Sequence, residues 1–142
     1  MSDRLTLKDL VAHFETQTLP ATQWTHEAHL MVGLWHVYHY PFWEAHCLMK
    51  AKIMAYNQAA GTPNAANRGY HETMTLFWLL QLNRFLESAQ KDQPIETLAT
   101  QLLESESSSR HLHVAYYSSD VLFSVKARAT WVMPDKKELL LP

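Results

Sequence analysis

Sulfur chemistry is nearly absent from this chain: Cys47 is the single cysteine, which excludes an intramolecular disulfide and a thiolate zinc cluster. There is no dense run of lysine or arginine, and the formal net charge is −2. Without a basic patch to neutralise several phosphates, no nucleic acid partner is expected. No apolar segment is long enough to span a bilayer, and the N-terminus lacks a basic stretch leading into an apolar one. These two absences predict no membrane partner and a cytoplasmic location. Sustained period-two alternation and internal repeats are missing too.

What the chain does have is helical spacing. Apolar residues recur three and four apart through most of the 142 residues, which predicts an all-α fold. The length suits a single domain, residues 1–142, with one core. With 47% hydrophobic and 18% charged residues, some apolar surface is available for a homodimer. The expected architecture is an up-down helical bundle of about five main helices with a short helical or irregular C-terminal segment.

The punctuation sets the boundaries. A first helix over about Leu7 to Thr16 ends before Leu19-Pro20. Thr25 caps a second, which runs to about Tyr40 and is stopped by Pro41. A third continues from there to Asn57–Ala60 and breaks at Gly61-Thr62-Pro63. The stretch 61–69 reads as an irregular loop. A fourth helix covers about Tyr70 to Ala89, and a fifth about Pro94 to Glu104. Polar residues 104–110 read as a loop, and 111–117 is ambiguous between short helix and extended chain. Ser118 or Ser119, and then Ser124, are placed to cap two short final helices.

Chemistry concentrates at two helix starts, Trp24-Thr25-His26-Glu27-Ala28-His29 and Gly69-Tyr70-His71-Glu72-Thr73. In an up-down bundle the second and fourth helices run in the same direction, so these starts share one end. At about 100° per residue, His26 and His29 open the inward stripe that continues through Leu30, Gly33 and Val37. His71 opens the stripe of Thr75, Trp78, Leu82 and Phe85.

Two imidazoles at i and i+3 with a third from another helix suit a divalent transition ion such as zinc, nickel or iron. Hence His26, His29 and His71 are the expected metal ligands, with Glu72 as ligand, second-sphere acceptor or catalytic general base. An open coordination position would activate water or a small substrate. His13, His111 and His113 are further candidate ligands at that end, while Tyr70, Tyr116 and Asp120 are candidates to line the site. His36, His39 and His46 carry less interest, as packed, surface or capping residues. Two other readings stay open: a metal-free cleft for a small anionic molecule, and a structural homodimer built on aromatic residues. The plainest reading of each motif is a helix start whose histidines satisfy local carbonyls; the stronger His-Glu-x-x-His motif is absent.

On these residues the chain resembles a family of small, uncharacterised bacterial proteins. Its members carry aromatic-x-His-x-x-His-Leu at one helix start and Tyr-His-Glu-Thr at another. The matching positions are Trp24, His26, His29 and Leu30, then Tyr70, His71, Glu72, Thr73 and Thr75. The C-terminal stretch Tyr117-Ser118, Leu122-Phe123-Ser124, Ala127-Arg128 and Trp131-Val132-x-Pro134-Asp135 is similar as well, so the likeness spans about residues 20 to 135. It implies a shared site and no particular reaction. Arg128, Trp131 and Asp135 either fold back over that site or, in the case of Trp131, anchor the tail on the core.

Overall fold

The computed structural model describes residues 5–89 and 92–142. Seven α-helices follow in order: α1 Leu7–Glu15, α2 His26–His39, α3 Phe42–Ala59, α4 Glu72–Ser88, α5 Ile95–Leu103, α6 Ser119–Leu122 and α7 Val125–Ala129. Single 3₁₀ turns cover Ala21–Gln23, Glu106–Ser108 and Leu112–Ala115. The fold is all-α, and no strand occurs among the described residues. None of their helices is long and apolar enough to cross a membrane.

Side-chain caps start most of these helices. Thr6 accepts from the Asp9 amide, Thr25 from Ala28, Ser118 from Val121 and Ser124 from Ala127. Each satisfies one of the amides that a helix leaves orphaned at its first turn. α3 and α5 instead follow Pro41 and Pro94 and have no side-chain cap; the proline ring fixes the φ with which the chain enters each helix. The ambiguous stretch 111–117 resolves as a 3₁₀ turn.

The core sits around α2 and α4. Ala28, Leu30, Met31, Val32, Gly33, Leu34, His36 and Val37 are all buried, so α2 is enclosed on nearly every face. Its close neighbour is α4: the His26 ring meets Trp78 edge-on at 5.0 Å, while Gly33 faces Leu79 and Leu82. Residue numbers rise together along the pair, so the two helices run parallel and their N-termini share one end. A Cβ on Gly33 would come within 2.7 Å of Leu82 Cδ1, which shows how closely the backbones approach.

α1, α2 and α3 are tied by a polar chain that runs from the buried His36 out to the exposed Glu15. His36, fully buried, donates from Nδ1 to the Val32 carbonyl at 2.7 Å. Its Nε2 therefore accepts from Lys52 Nζ at 2.8 Å. Lys52 in turn donates to Glu15 Oε2 at 2.5 Å and lies over the Trp35 ring. Burial, with the Lys52 charge adding to it against the pull of the Val32 carbonyl, lowers the His36 pKa to about 4.

Two turns have firm backbone reasons. Gly69 has φ +83°, and a Cβ there would stand 2.3 Å from the Pro63 carbonyl oxygen, so only glycine fits. Beside it Asn64 knits the 61–69 loop, accepting from Asn57 and from the Tyr70 amide while donating to the Met54 carbonyl. At the end of α1, Gln17 takes φ 62°, and the amides of Gln17 and Thr18 bond back to Phe14 and His13. This is the left-handed exit that most helices give to glycine.

Two outcomes follow. Gln17→Gly removes the left-handed penalty at the α1 exit and should raise stability by about 1 kcal/mol, measured as a higher urea midpoint at unchanged slope. His36 is neutral when folded and titrates near 6.5 when unfolded, so the unfolded chain binds more protons between about pH 6.5 and 4. The stability it supports is complete above 6.5 and falls as pH drops; by pH 5 this residue alone should cost about 2 kcal/mol. Urea unfolding at pH 8 and pH 5 checks this, and His36→Gln should remove this share of the difference while leaving the share of His29, whose pKa is also lowered to about 4.

Candidate site at the shared helix end

The common end of α2 and α4 holds a cavity of about 540 Å³. Its wall is largely apolar: Leu30 and Gly33 from α2, Met49 and Ile53 from α3, and Met74, Trp78, Leu79 and Leu82 from α4. Trp24, Tyr70, His26, His29 and His71 close the helix-start side, with Asn57 and Thr62 at the loop. The sequence reading placed the three histidines and Tyr70 here, and all four do line the space. No lining residue is a lysine, arginine, aspartate or glutamate.

The three imidazoles nevertheless do different work. His71 is the N-cap of α4: its Nδ1 accepts from the Met74 amide at 3.1 Å. That fixes the proton on Nε2, which donates to the Leu122 carbonyl at 2.8 Å. Both ring nitrogens are therefore committed. Burial holds the pKa of this ring down, with the Arg128 charge assisting against the Leu122 carbonyl.

His26 reaches the other way. Its Nε2–H donates to the Ser108 carbonyl at 2.9 Å, which brings the 104–110 segment against the start of α2 and leaves only Nδ1 without a protein partner.

His29 differs again. Its ring stacks on Trp24 with centroids 3.7 Å apart, and Trp24 stacks on Phe14 at 4.5 Å. Nδ1 donates to the Thr25 carbonyl at 2.6 Å, so in the neutral ring Nε2 carries the lone pair. The ring keeps open surface, but that surface belongs to the cavity wall. Surrounding protein displaces water from it and lowers the pKa to about 4 despite the Thr25 carbonyl. At neutral pH, His29 is a neutral hydrogen-bond acceptor presented to an apolar space.

Among the described residues no group of three or more His, Cys, Asp or Glu is disposed to hold a metal ion. An ion bound by His26, His29 and His71 would require His71 to surrender the Met74 or the Leu122 bond. Glu72 lies apart from the cavity lining. Its Oε1 accepts from the Tyr70 hydroxyl at 2.6 Å and from His46 Nε2 at 2.8 Å, with Lys50 Nζ 3.6 Å from Oε2. Burial alone would raise its pKa, but these donors outweigh it and hold the carboxyl below its ordinary value. The same arrangement, with burial leading, pushes the Tyr70 hydroxyl well up. Glu72 is thus an ionised anchor between the start of α4 and the middle of α3. His46, which the spacing gave no reason to single out, is its partner.

The Tyr-His-Glu-Thr stretch also clasps the C-terminal segment. Thr73, fully buried, donates to the Thr130 carbonyl at 2.8 Å and accepts from the Val132 amide at 3.1 Å. Arg128 Nη1 donates to the Gly69 carbonyl at 2.9 Å. Tyr117 donates to the Val132 carbonyl, and Asp135 accepts from the Ser118 amide. The Trp131 ring packs against the core and stands edge-on to Tyr117. These residues brace the outside of α4 and do not line the cavity.

The remaining candidates fall outside too. His13 is exposed and bonds Thr18, Tyr116 packs on Phe77, and Asp120 and His111 are exposed. His113 is half-buried with Nδ1 unpartnered, and burial lowers its pKa. Comparison with models of protein families, with curated proteins and with solved structures gives no match.

His71→Ala should remove a helix cap and orphan a buried carbonyl, a combined loss of about 3 kcal/mol. His71→Asn keeps the cap without reaching Leu122 and should lose about half as much. Chemical denaturation of the three proteins measures the series, and faster amide exchange at Val132 in both variants would place the loss in the clasp.

Proposed function

We propose that the protein binds a small, neutral, largely apolar molecule carrying one hydrogen-bond donor, with His29 Nε2 as the acceptor that orients it. The observation that carries this reading is the state of His29. One nitrogen is spent on Thr25, the ring is held neutral, and the other nitrogen has no partner among the described residues in a cavity walled by Trp24, Trp78, Leu30 and Leu79. A few convergent polar atoms in an otherwise apolar space are the usual make-up of a small-molecule site. The volume of about 540 Å³ suits a ligand of two or three fused rings.

The lining argues for a neutral ligand over an anionic one, since it offers no cationic side chain. The metal reading keeps two unengaged nitrogens, His26 Nδ1 and His29 Nε2, but needs His71 released from α4. For a homodimer the support is surface aromatics, with Trp43 and Tyr38 exposed, whereas Phe42 and Phe77 are spent on the core.

Equilibrium dialysis at pH 7.5 with 2-naphthol, naphthalene and 2-naphthoate tests the proposal. Saturable binding of one 2-naphthol is expected, about five- to tenfold tighter than naphthalene, the worth of one net hydrogen bond; 2-naphthoate should bind worst. His29→Phe keeps the stack on Trp24 and should erase the preference for naphthol. Equal affinity for naphthol and naphthalene in the native protein, or no saturable binding, would overturn it. One equivalent of zinc, nickel or iron bound, and lost in His29→Phe, would favour the metal reading instead.

A further inference from the structure

A second, larger depression of about 790 Å³ lies on another face, between α1, α2 and α5. α1 and α5 both pack against α2, and the space left between them has the form of a groove. Its floor is apolar, with Leu10, Met31, Ala99 and Leu103 among the residues at its base. Its rim is acidic. Glu96, Thr100 and Glu104 stand at i, i+4 and i+8 on α5 and its C-cap, one row about 12 Å long at 1.5 Å per residue. Glu27 adds a third carboxylate from the α2 side. Among the described residues the exposed Glu96 and Glu104 side chains have no side-chain partner, no lysine, arginine or histidine lines the groove, and Glu27 is already engaged.

We propose that this groove docks a basic amphipathic helix of a partner protein. Charge complementarity chooses the occupant. The carboxylates of Glu96 and Glu104 line the α5 side of an apolar floor, so the matching surface is an apolar stripe at i, i+3/i+4 and i+7 with lysine or arginine along the edge that meets α5. An acidic or neutral helix would leave Glu96 and Glu104 facing like charge or nothing. Helices pack with axes 8–10 Å apart, and a helix laid between α1 and α5 over α2 would extend the bundle by one member. The groove takes in neither His29 nor Trp78, so docking and the small-molecule site are separate.

The probe is an 18-residue leucine/lysine amphipathic peptide, with its leucine/glutamate counterpart as control, followed by fluorescence anisotropy. The lysine peptide should bind one per chain, and the glutamate peptide at least about tenfold more weakly. Glu96→Gln with Glu104→Gln should weaken the lysine peptide about tenfold, and so should Thr100→Arg, which sets a like charge on the exposed rim. Circular dichroism should show both variants folded, and 2-naphthol should bind them as it binds the native protein. Equal affinity for the two peptides, or unchanged affinity in the rim variants, would overturn the proposal. So would a dimer in sedimentation that Thr100→Arg converts to monomer, since a second copy would then be the occupant.

Discussion

Everything at the shared helix end depends on one imidazole accepting with one nitrogen and donating with the other. His71 Nδ1 closes the first turn of α4, and Nε2 holds the Leu122 carbonyl. This works only for a neutral ring of one tautomer, and burial keeps it neutral. The bond spans 51 residues of sequence, so it decides both where α4 starts and where the α6–α7 segment lies. Thr73, two positions on, repeats the device with a hydroxyl that bridges Thr130 and Val132. Between them stands Glu72, turned toward α3 through His46 and Lys50. Consecutive residues thus fix α4 against different neighbours, and the cavity is the space they leave.

The chemistry of that space is set by subtraction. His71 has no free nitrogen, His26 gives one to Ser108, and His29 gives one to Thr25. The acidic residue beside the motif is satisfied elsewhere. What faces the interior is aromatic and aliphatic surface with the remaining imidazole nitrogens of His26 and His29 and the side chains of Asn57, Thr62 and Thr75 on it.

Much of the fold was legible because its signals are local. Thr25, Ser118 and Ser124 each bond an amide three residues on, and Pro41 sits where its missing N–H costs nothing, so boundaries could be read within a residue or two. Helical phase was legible as well, which is why His26, His29 and His71 were assigned to one end. Phase gives the direction of a side chain from its own axis but not the atom it meets. Ser108 lies 82 residues from His26 and Leu122 lies 51 from His71, and no periodicity reports such pairs. Glu72 follows His71 by about 100° of helix rotation, but only the position of α3 shows that this angle leads to His46. The left-handed turn at Gln17 escaped for the opposite reason: glutamine there breaks the local rule that would have announced it.

The clasp also has a temporal side. The carbonyls of Leu122 and Thr130 that receive His71 and Thr73 follow α1 to α5 in the chain, so a growing chain makes them after those helices. α1 to α5 can collapse on one another through neighbouring segments, but the start of α4 cannot take its final set of bonds until residues 122–132 arrive, since non-local contacts wait on chain closure. A growing chain therefore carries an unfastened helix end until the α6–α7 segment has emerged, the interval in which a chaperone or a protease would find it most approachable.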